Sequence, residues 1–363
     1  MYDTSLTDYP RLNQEESDSP RIQRAIDATE NGILYIPKGD YDIKEPLRIS
    51  NRCSLKMHPA ARLVAGNKMD FVLCYESDAN YHCLSLFNDD GSIYDNLGLF
   101  IEGGDIDGNG VASCLRITNA HHFTINNTAF HNGIKYGLCI GGDGEKKGHL
   151  YELICNNIYC KCTMKGLSGN IGIYSTLSDC HFTDCIVVDY TIGVRMVGSA
   201  NRLSRCHIWG GTIAPVNMDM KTWSDIYAKR KEALRAGVYD ADYTNSEYQN
   251  DVPEMLIGSV AFDMQGVCNV LDGCYADTAE VGYQIKGDTR LIACDFFNNK
   301  LMGLKKTTAI RHLGGDMVVV GGYFRAPAGI EILYEGIGEG VEWIGTKVAD
   351  SMQVPDILKE KLL

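Results

Sequence analysis

No stretch of the 363 residues runs to 18 consecutive apolar side chains, so a membrane-spanning helix is excluded as an organising element and no membrane partner is expected. Proline is scarce, 9 residues against 38 glycines, a balance suited to many tight turns between short strands. Positive charge is in deficit. With 34 Lys and Arg against 47 Asp and Glu the net charge is −13, and phosphate recognition needs clustered cations, so no nucleic-acid partner is expected. The opening MYDTSLTDYPRLNQEESDSP has neither the basic nor the apolar region of an export leader, which leads to the expectation of a cytoplasmic protein. Cysteine is plentiful at 14, yet zinc-type spacing is missing: Cys160 and Cys162 stand in Tyr-Cys-Lys-Cys without partners. Several cysteines fall at inward strand positions, where a free thiol behaves as a small hydrophobe. Reduced core cysteines are therefore expected, and neither a metal nor a cofactor.

What is present is a repeat. Cys274-Tyr-Ala-Asp277 and Cys294-Asp-Phe-Phe297 are two copies of one short phrase, 20 residues apart. With the cysteine as position one, the matching positions are Gly104, Asn127, Asn156, Cys180, Cys206, Cys274, Cys294 and Gly322, at intervals of 23, 29, 24, 26, 68, 20 and 28 residues. Side chains alternate along a strand, so positions one and three make an inward face and positions two and four an outward one. A second strand recurs in each coil, among others as Cys114-Leu-Arg-Ile117, Gly193-Val-Arg-Met196, Ala261-Phe-Asp-Met264, Gly282-Tyr-Gln-Ile285 and Gly329-Ile-Glu-Ile332. Because Ala261–Met264 closes the coil begun at Cys206, the interval of 68 is one coil carrying an insertion over about residues 211–256, with helical propensity from Thr222 to Arg235. His207 then lies beside Tyr275, and Trp209 beside Asp277. The Leu-x-x-Leu-x-Leu framework of a leucine-rich repeat is absent. A solenoid grows by adding coils and escapes the size limit of a globular core, so one all-β domain over residues 1–363 is expected.

Ahead of the coils, Ser19 as N-cap and Pro20 at the first helical position open a helix with Ile22, Ala25 and Ile26 on one face, ended by Asn31-Gly32. This cap, about residues 19–31, would cover the open backbone edge of the first coil. The cap followed by a strand and Ile36-Pro37-Lys38-Gly39-Asp40-Tyr41 resembles the start of the pectate lyase superfamily, and Gly104-Asp-Ile-Asp-Gly-Asn-Gly110 is similar to a segment of its polygalacturonase-like branch. The resemblance implies a right-handed parallel β-helix of three sheets that binds carbohydrate along one outer face. The acid segments of that branch are not found intact. Asn127-Thr128-Ala129 has alanine where the branch has an acid, and Gly193-Val194-Arg195-Met196 is no Arg-Ile-Lys. Asp105 and Asp107 are accordingly read as turn and ladder residues. Residues 67–96 read as a loop-rich excursion around Asn88-Asp-Asp-Gly91, and Val354 to Leu363 as a closing helix.

Chemistry is expected on the outward face beside the insertion. Asp277 and Asp295 are one coil and two residues apart, which places their Cα atoms about 8 Å apart and their carboxyl groups within the range used in glycoside cleavage. His207 is a third catalytic candidate, as hydrogen-bonding group or proton shuttle. Trp209, Phe297 and Tyr275 are candidates for sugar binding, and Trp223, Tyr227, Tyr239 and Tyr243 of the insertion for the wall of a groove. Arg195 beside Asp263 reads as a surface ion pair or as an anion-binding Arg. Asp184, Asp189 and Glu280 are weaker candidates at turns. The expected function is cleavage of a glycosidic bond in an oligo- or polysaccharide, as hydrolase or intramolecular transferase. The alternatives are a β-eliminating polysaccharide lyase and a non-catalytic, phage-spike-like structural protein. Relatives of the last kind and of inulin fructotransferase leave a homotrimer open, with the site near the subunit interface.

Overall fold

The structure is a computed structural model, and it describes residues 2–50, 52–76, 99–118, 123–142, 152–236, 252–304, 306–325, 331–337, 340–349 and 352–356. Short strands sort into three sheets of twelve, eleven and ten strands, each sheet taking every third strand in chain order from the first complete coils onward. Pairing is parallel throughout the described ladders, and the fold is an all-β right-handed parallel β-helix. The chain divides into two compact units, Met1–Lys161 with Ile173–Ile186, and Cys162–Gly172 with Val187–Leu363.

In the first unit the helix α1 (Ser19–Ala28) turns Ile22, Ala25 and Ile26 inward, all three fully buried. Ser19 is its first residue, not its cap. The Ser19 hydroxyl instead accepts the backbone N–H groups of Lys44 and Glu45 at 2.9 and 3.1 Å, tying the helix to the chain beyond the strand Gly39–Ile43. In the second unit, columns of like residues stack inward: Leu203, Leu271, Leu291 and Val319 on the twelve-stranded sheet, and Val194, Phe262, Tyr283 and Ile310 on the ten-stranded one. Each buried side chain of this size contributes about 1.5–3 kcal/mol. The cysteines complete the columns. Cys274 and Cys294 are buried and donate their thiols to the Leu203 and Leu271 carbonyls at 3.3 and 3.4 Å.

One corner is constant. From the strand Phe100–Glu102 onward, two residues join every strand of the twelve-stranded sheet to the next strand of the eleven-stranded sheet. The first of the two always has positive φ: Gly103, Asn127, Asn157, Asp184, Arg205, Gly273, Ala293, Gly321 and Gly345. That left-handed residue turns the chain from one sheet to the next in a single step, which explains the recurrent Gly, Asn and Asp. This corner contributes nothing to the variation in coil length, which falls on the other two corners and on the strands.

The corner also corrects the sequence register in three coils. Position one follows the corner, so it is Thr128, Ile158 and Cys185 in place of Asn127, Asn156 and Cys180. Phe130, expected outward, is fully buried and pairs with Ile106 and Cys160. His181–Thr183 belongs to the twelve-stranded sheet, pairing with Ile154–Asn156. Cys180-His-Phe-Thr and Cys185-Ile-Val-Val carry the same small-x-apolar pattern, and the corner that opens with the left-handed Asp184 separates the two strands. Near the C-terminus the strand Glu331–Gly336 pairs with Thr307–His312, which sets Arg311 beside Glu335 and Thr307 beside Glu331.

The insertion contains α2 (Met220–Arg235), as its propensity indicates. Its Trp223 is 4% exposed in a cluster with Ala214, Leu256, Met302 and Leu304, with Tyr227 packed alongside. Arg230, also buried, lies over the Trp223 ring and donates to the Leu301 carbonyl at 2.9 Å. Trp223 is thus an anchor and not a groove wall. Tyr239, Tyr243, the Asn88–Gly91 turn and most of the tail from Val354 lie outside the described residues.

Candidate active site

Four strands of the eleven-stranded sheet, His207–Trp209, Tyr275–Asp277, Asp295–Phe297 and Tyr323–Arg325, lie side by side in the second unit. Each buries only its middle residue, Ile208, Ala276, Phe296 or Phe324. The flanking residues point outward and form two rows: His207, Tyr275, Asp295 and Tyr323 in one, Trp209, Asp277, Phe297 and Arg325 in the other. The register that the sequence assigns to the two acids holds. Both stand on one face, on adjacent strands and one residue pair apart.

The outward rings pack on one another. His207 stacks on Tyr275 with centroids 4.7 Å apart, and on Trp209 at 6.3 Å. The Arg325 guanidinium lies 5.4 Å from the centre of the Phe297 ring and 5.5 Å from that of Tyr323, within cation–π range. Such packing holds polar groups half-buried. Asp277 has 21% of its side chain exposed, and burial raises its carboxyl above the usual Asp value, against a Thr278 hydrogen bond and the Arg325 charge that lower it. Burial likewise lowers the His207 imidazole below its ordinary value and favours the neutral ring. Burial and then the Asp277 charge push the Tyr275 hydroxyl up, and Arg325 only partly offsets them.

Two polar atoms here lack hydrogen-bond partners among the described residues. Asp277 accepts the Thr278 hydroxyl through Oδ1 at 2.5 Å, while its Oδ2 faces His207 Nε2 at 4.0 Å, too far for a hydrogen bond. Nε2 is buried with no hydrogen-bond partner. Asp295 is oriented differently, since its Oδ1 accepts the Tyr323 N–H at 2.7 Å.

Arg195 and Asp263 are not part of this site. They stand on the ten-stranded sheet, where Asp263 is fully buried and accepts Arg195 Nε at 2.6 Å, Gln265 at 2.8 Å and Gln284 at 3.0 Å. Three of that acid's acceptor positions are thus taken by its neighbours. Asp189 is likewise buried, accepting the Gly211 and Thr212 N–H groups at the start of the insertion. Asp184 is a left-handed corner. Glu280 lines a cavity of about 550 Å³ against the insertion, with Glu254, Ile257, Val216, Lys306 and Arg311. In the first unit Asp105 and Asp107 are strand residues bridged by Arg62 at 3.1 and 2.8 Å, and Asp105 also bonds His131 Nδ1 at 2.6 Å. They form an internally satisfied ion cluster.

Sequence reasoning placed Tyr323 and Arg325 on the outward face but left them out of the site, although they repeat the same two positions one coil further on. Thr278 was missed because the repeated phrase stops at Asp277. Among the described residues, no cluster of His, Cys, Asp and Glu is spaced to hold a metal ion, and no helix is long and apolar enough to cross a membrane.

No protein-family profile and no curated protein sequence matches the chain. Solved structures do. The enzymatically active domain of tailspike protein 2 from bacteriophage CBA120 aligns over 94% of this chain and 46% of its own length, with TM-score 0.61 and 9% identity. ORF18 of Geobacillus virus E2 aligns over 92% of this chain and 62% of its own, with TM-score 0.53 and 15% identity. The chain thus spans less than two thirds of either structure, and at these identities the likeness is one of fold.

Proposed function

We propose that the chain cleaves a glycosidic bond in an oligo- or polysaccharide, with Asp277 as the proton donor and Asp295 as its carboxylate partner. The observation that carries this reading is the environment of Asp277. Its carboxyl is half-buried among aromatic rings, its affinity for a proton is raised, and one oxygen is left without a partner on an outward face. Glycoside cleavage needs one acid kept protonated at the leaving oxygen and a second carboxylate nearby, a split that local environment creates. Trp209 and Phe297 flank Asp277 along its row and offer ring faces for a sugar. The bacteriophage tailspike domain of similar fold is an enzymatically active one, which is consistent with a catalytic role here.

A second reading has its own support. A neutral His207 stacked on Tyr275, whose hydroxyl Arg325 reaches, has the parts for β-elimination from a uronic acid: a base, a hydroxyl donor and a cation for the carboxylate. One experiment separates the two. A panel of neutral and uronic oligosaccharides is incubated with the wild-type chain and the Asp277→Asn and Asp295→Asn variants. The proposal expects new reducing ends without ultraviolet-absorbing product, and at least about a hundredfold loss in Asp277→Asn. Unsaturated product that persists in Asp277→Asn but not in a His207→Ala variant would give the second reading. Saccharide binding without turnover would leave a structural role.

A further inference from the structure

Thr278, directly after Asp277, has a backbone that its residue type disfavours. Its φ is +55°, and it is the only β-branched residue among the described non-glycine residues with positive φ. A branched Cβ in that region is sterically strained, whereas Asn and Asp tolerate it. The equivalent corner of other coils obeys the rule, with Asn132 at φ +52° and Asp189 at φ +57°. Strain at one position of a regular fold is an observation from which a functional role can be argued.

The side chain supplies the reason. Thr278 is 2% exposed, and its Oγ1 accepts the Asn299 N–H at 3.1 Å. With that N–H fixing the hydroxyl, its own proton is directed to Asp277 Oδ1 at 2.5 Å. We propose that Thr278 is a positioning residue for Asp277: by holding Oδ1 it leaves Oδ2, on the His207 side, as the oxygen that carries and delivers the proton. Asn or Asp at this corner would relax the backbone but would not place a lone hydroxyl there. The strained threonine keeps the carboxyl in one rotamer and, as a donor to the charged form, limits how far burial raises its proton affinity.

This rests on Asp277 as the acid, but its test does not depend on turnover. The Asp277 carboxyl is titrated by carbon NMR in the full chain labelled at Asp, with the signal assigned by its loss in Asp277→Asn. Thr278→Val keeps the branched shape and removes the donor; Thr278→Ser restores it. The proposal expects the Asp277 midpoint to rise in Thr278→Val by roughly one pH unit, about tenfold in proton affinity, and to return in Thr278→Ser. An unchanged midpoint in Thr278→Val overturns it, and the return in Thr278→Ser separates loss of the donor from a change in burial. With turnover measurable, the alkaline limb of the rate profile should shift upward by the same amount while kcat falls and KM holds. A shifted midpoint with an unshifted limb also overturns the positioning role. If Asp277→Asn stays active, the cleavage reading fails, and the carboxyl titration still decides what Thr278 does.

Discussion

Asp277 and His207 are displaced from their ordinary titration ranges by the same cause, burial of the charged form, and stability follows with opposite dependence on pH. The folded state holds the Asp277 proton more tightly than the unfolded chain does, so stability falls as pH rises from the unfolded value, 3.8, through the folded one. Above that window the loss persists. Asp277→Asn should therefore be more stable than the wild type at pH 7, and the gain should shrink below pH 4; denaturant midpoints at the two values check this. His207 works the other way. Below its ordinary value of 6.5 the unfolded chain takes up a proton that the buried ring resists, and stability drops as pH falls. His207→Gln should remove that acid-side slope, which the same midpoints at pH 7 and 5.5 would read. Both residues were legible in the sequence as outward neighbours. Their environments were not, because the shifts depend on how tightly the surrounding rings close.

Elements explain where the register was readable and where it slipped. The phrases at Cys206, Cys274 and Cys294 read correctly, since each has a single small-x-apolar pattern close to its corner residue. At Cys180 and Cys185 two such patterns lie five residues apart, and periodicity alone has no means to choose between them. A left-handed corner was the missing signal, visible as Asn127, Asn157, Gly273 and Gly321 but hidden where Arg205 and Ala293 take the role. The insertion gives an independent test of its own attachment. Trp223 fills the cluster beneath α2, and Arg230 caps its ring, so Trp223→Ala should cost about 3–5 kcal/mol. Loss confined to the insertion would appear as faster proteolysis around α2 with the β-sheet circular dichroism kept. Global unfolding at the same denaturant concentration would show that the insertion and the coils share one core.

On the scale of the whole molecule, cysteine chemistry gives the simplest check on the fold. The described cysteines are all unlinked, and of them only Cys268 is exposed. A thiol reagent added to the native chain should modify Cys268 among these sites, and the others only on unfolding; mass spectrometry of digests reads the outcome. Early reaction at Cys274 or Cys294 would contradict their inward placement. For both units the architecture was legible from the spacing of small and apolar residues, because a coil that closes on itself must repeat its inward pattern. The chemistry was less legible, because outward residues obey no such rule.

The constant two-residue corner limits how such a chain can change its length. A peptide tag spliced between Asp272 and Tyr275 would have no slack to absorb it, and the strands on either side would lose their common pitch. The same tag at one of the other two edges would simply enlarge a loop. Growth has already taken that route in the stretch between Trp209 and Val260, which leaves the coil at the edge next to Asp277.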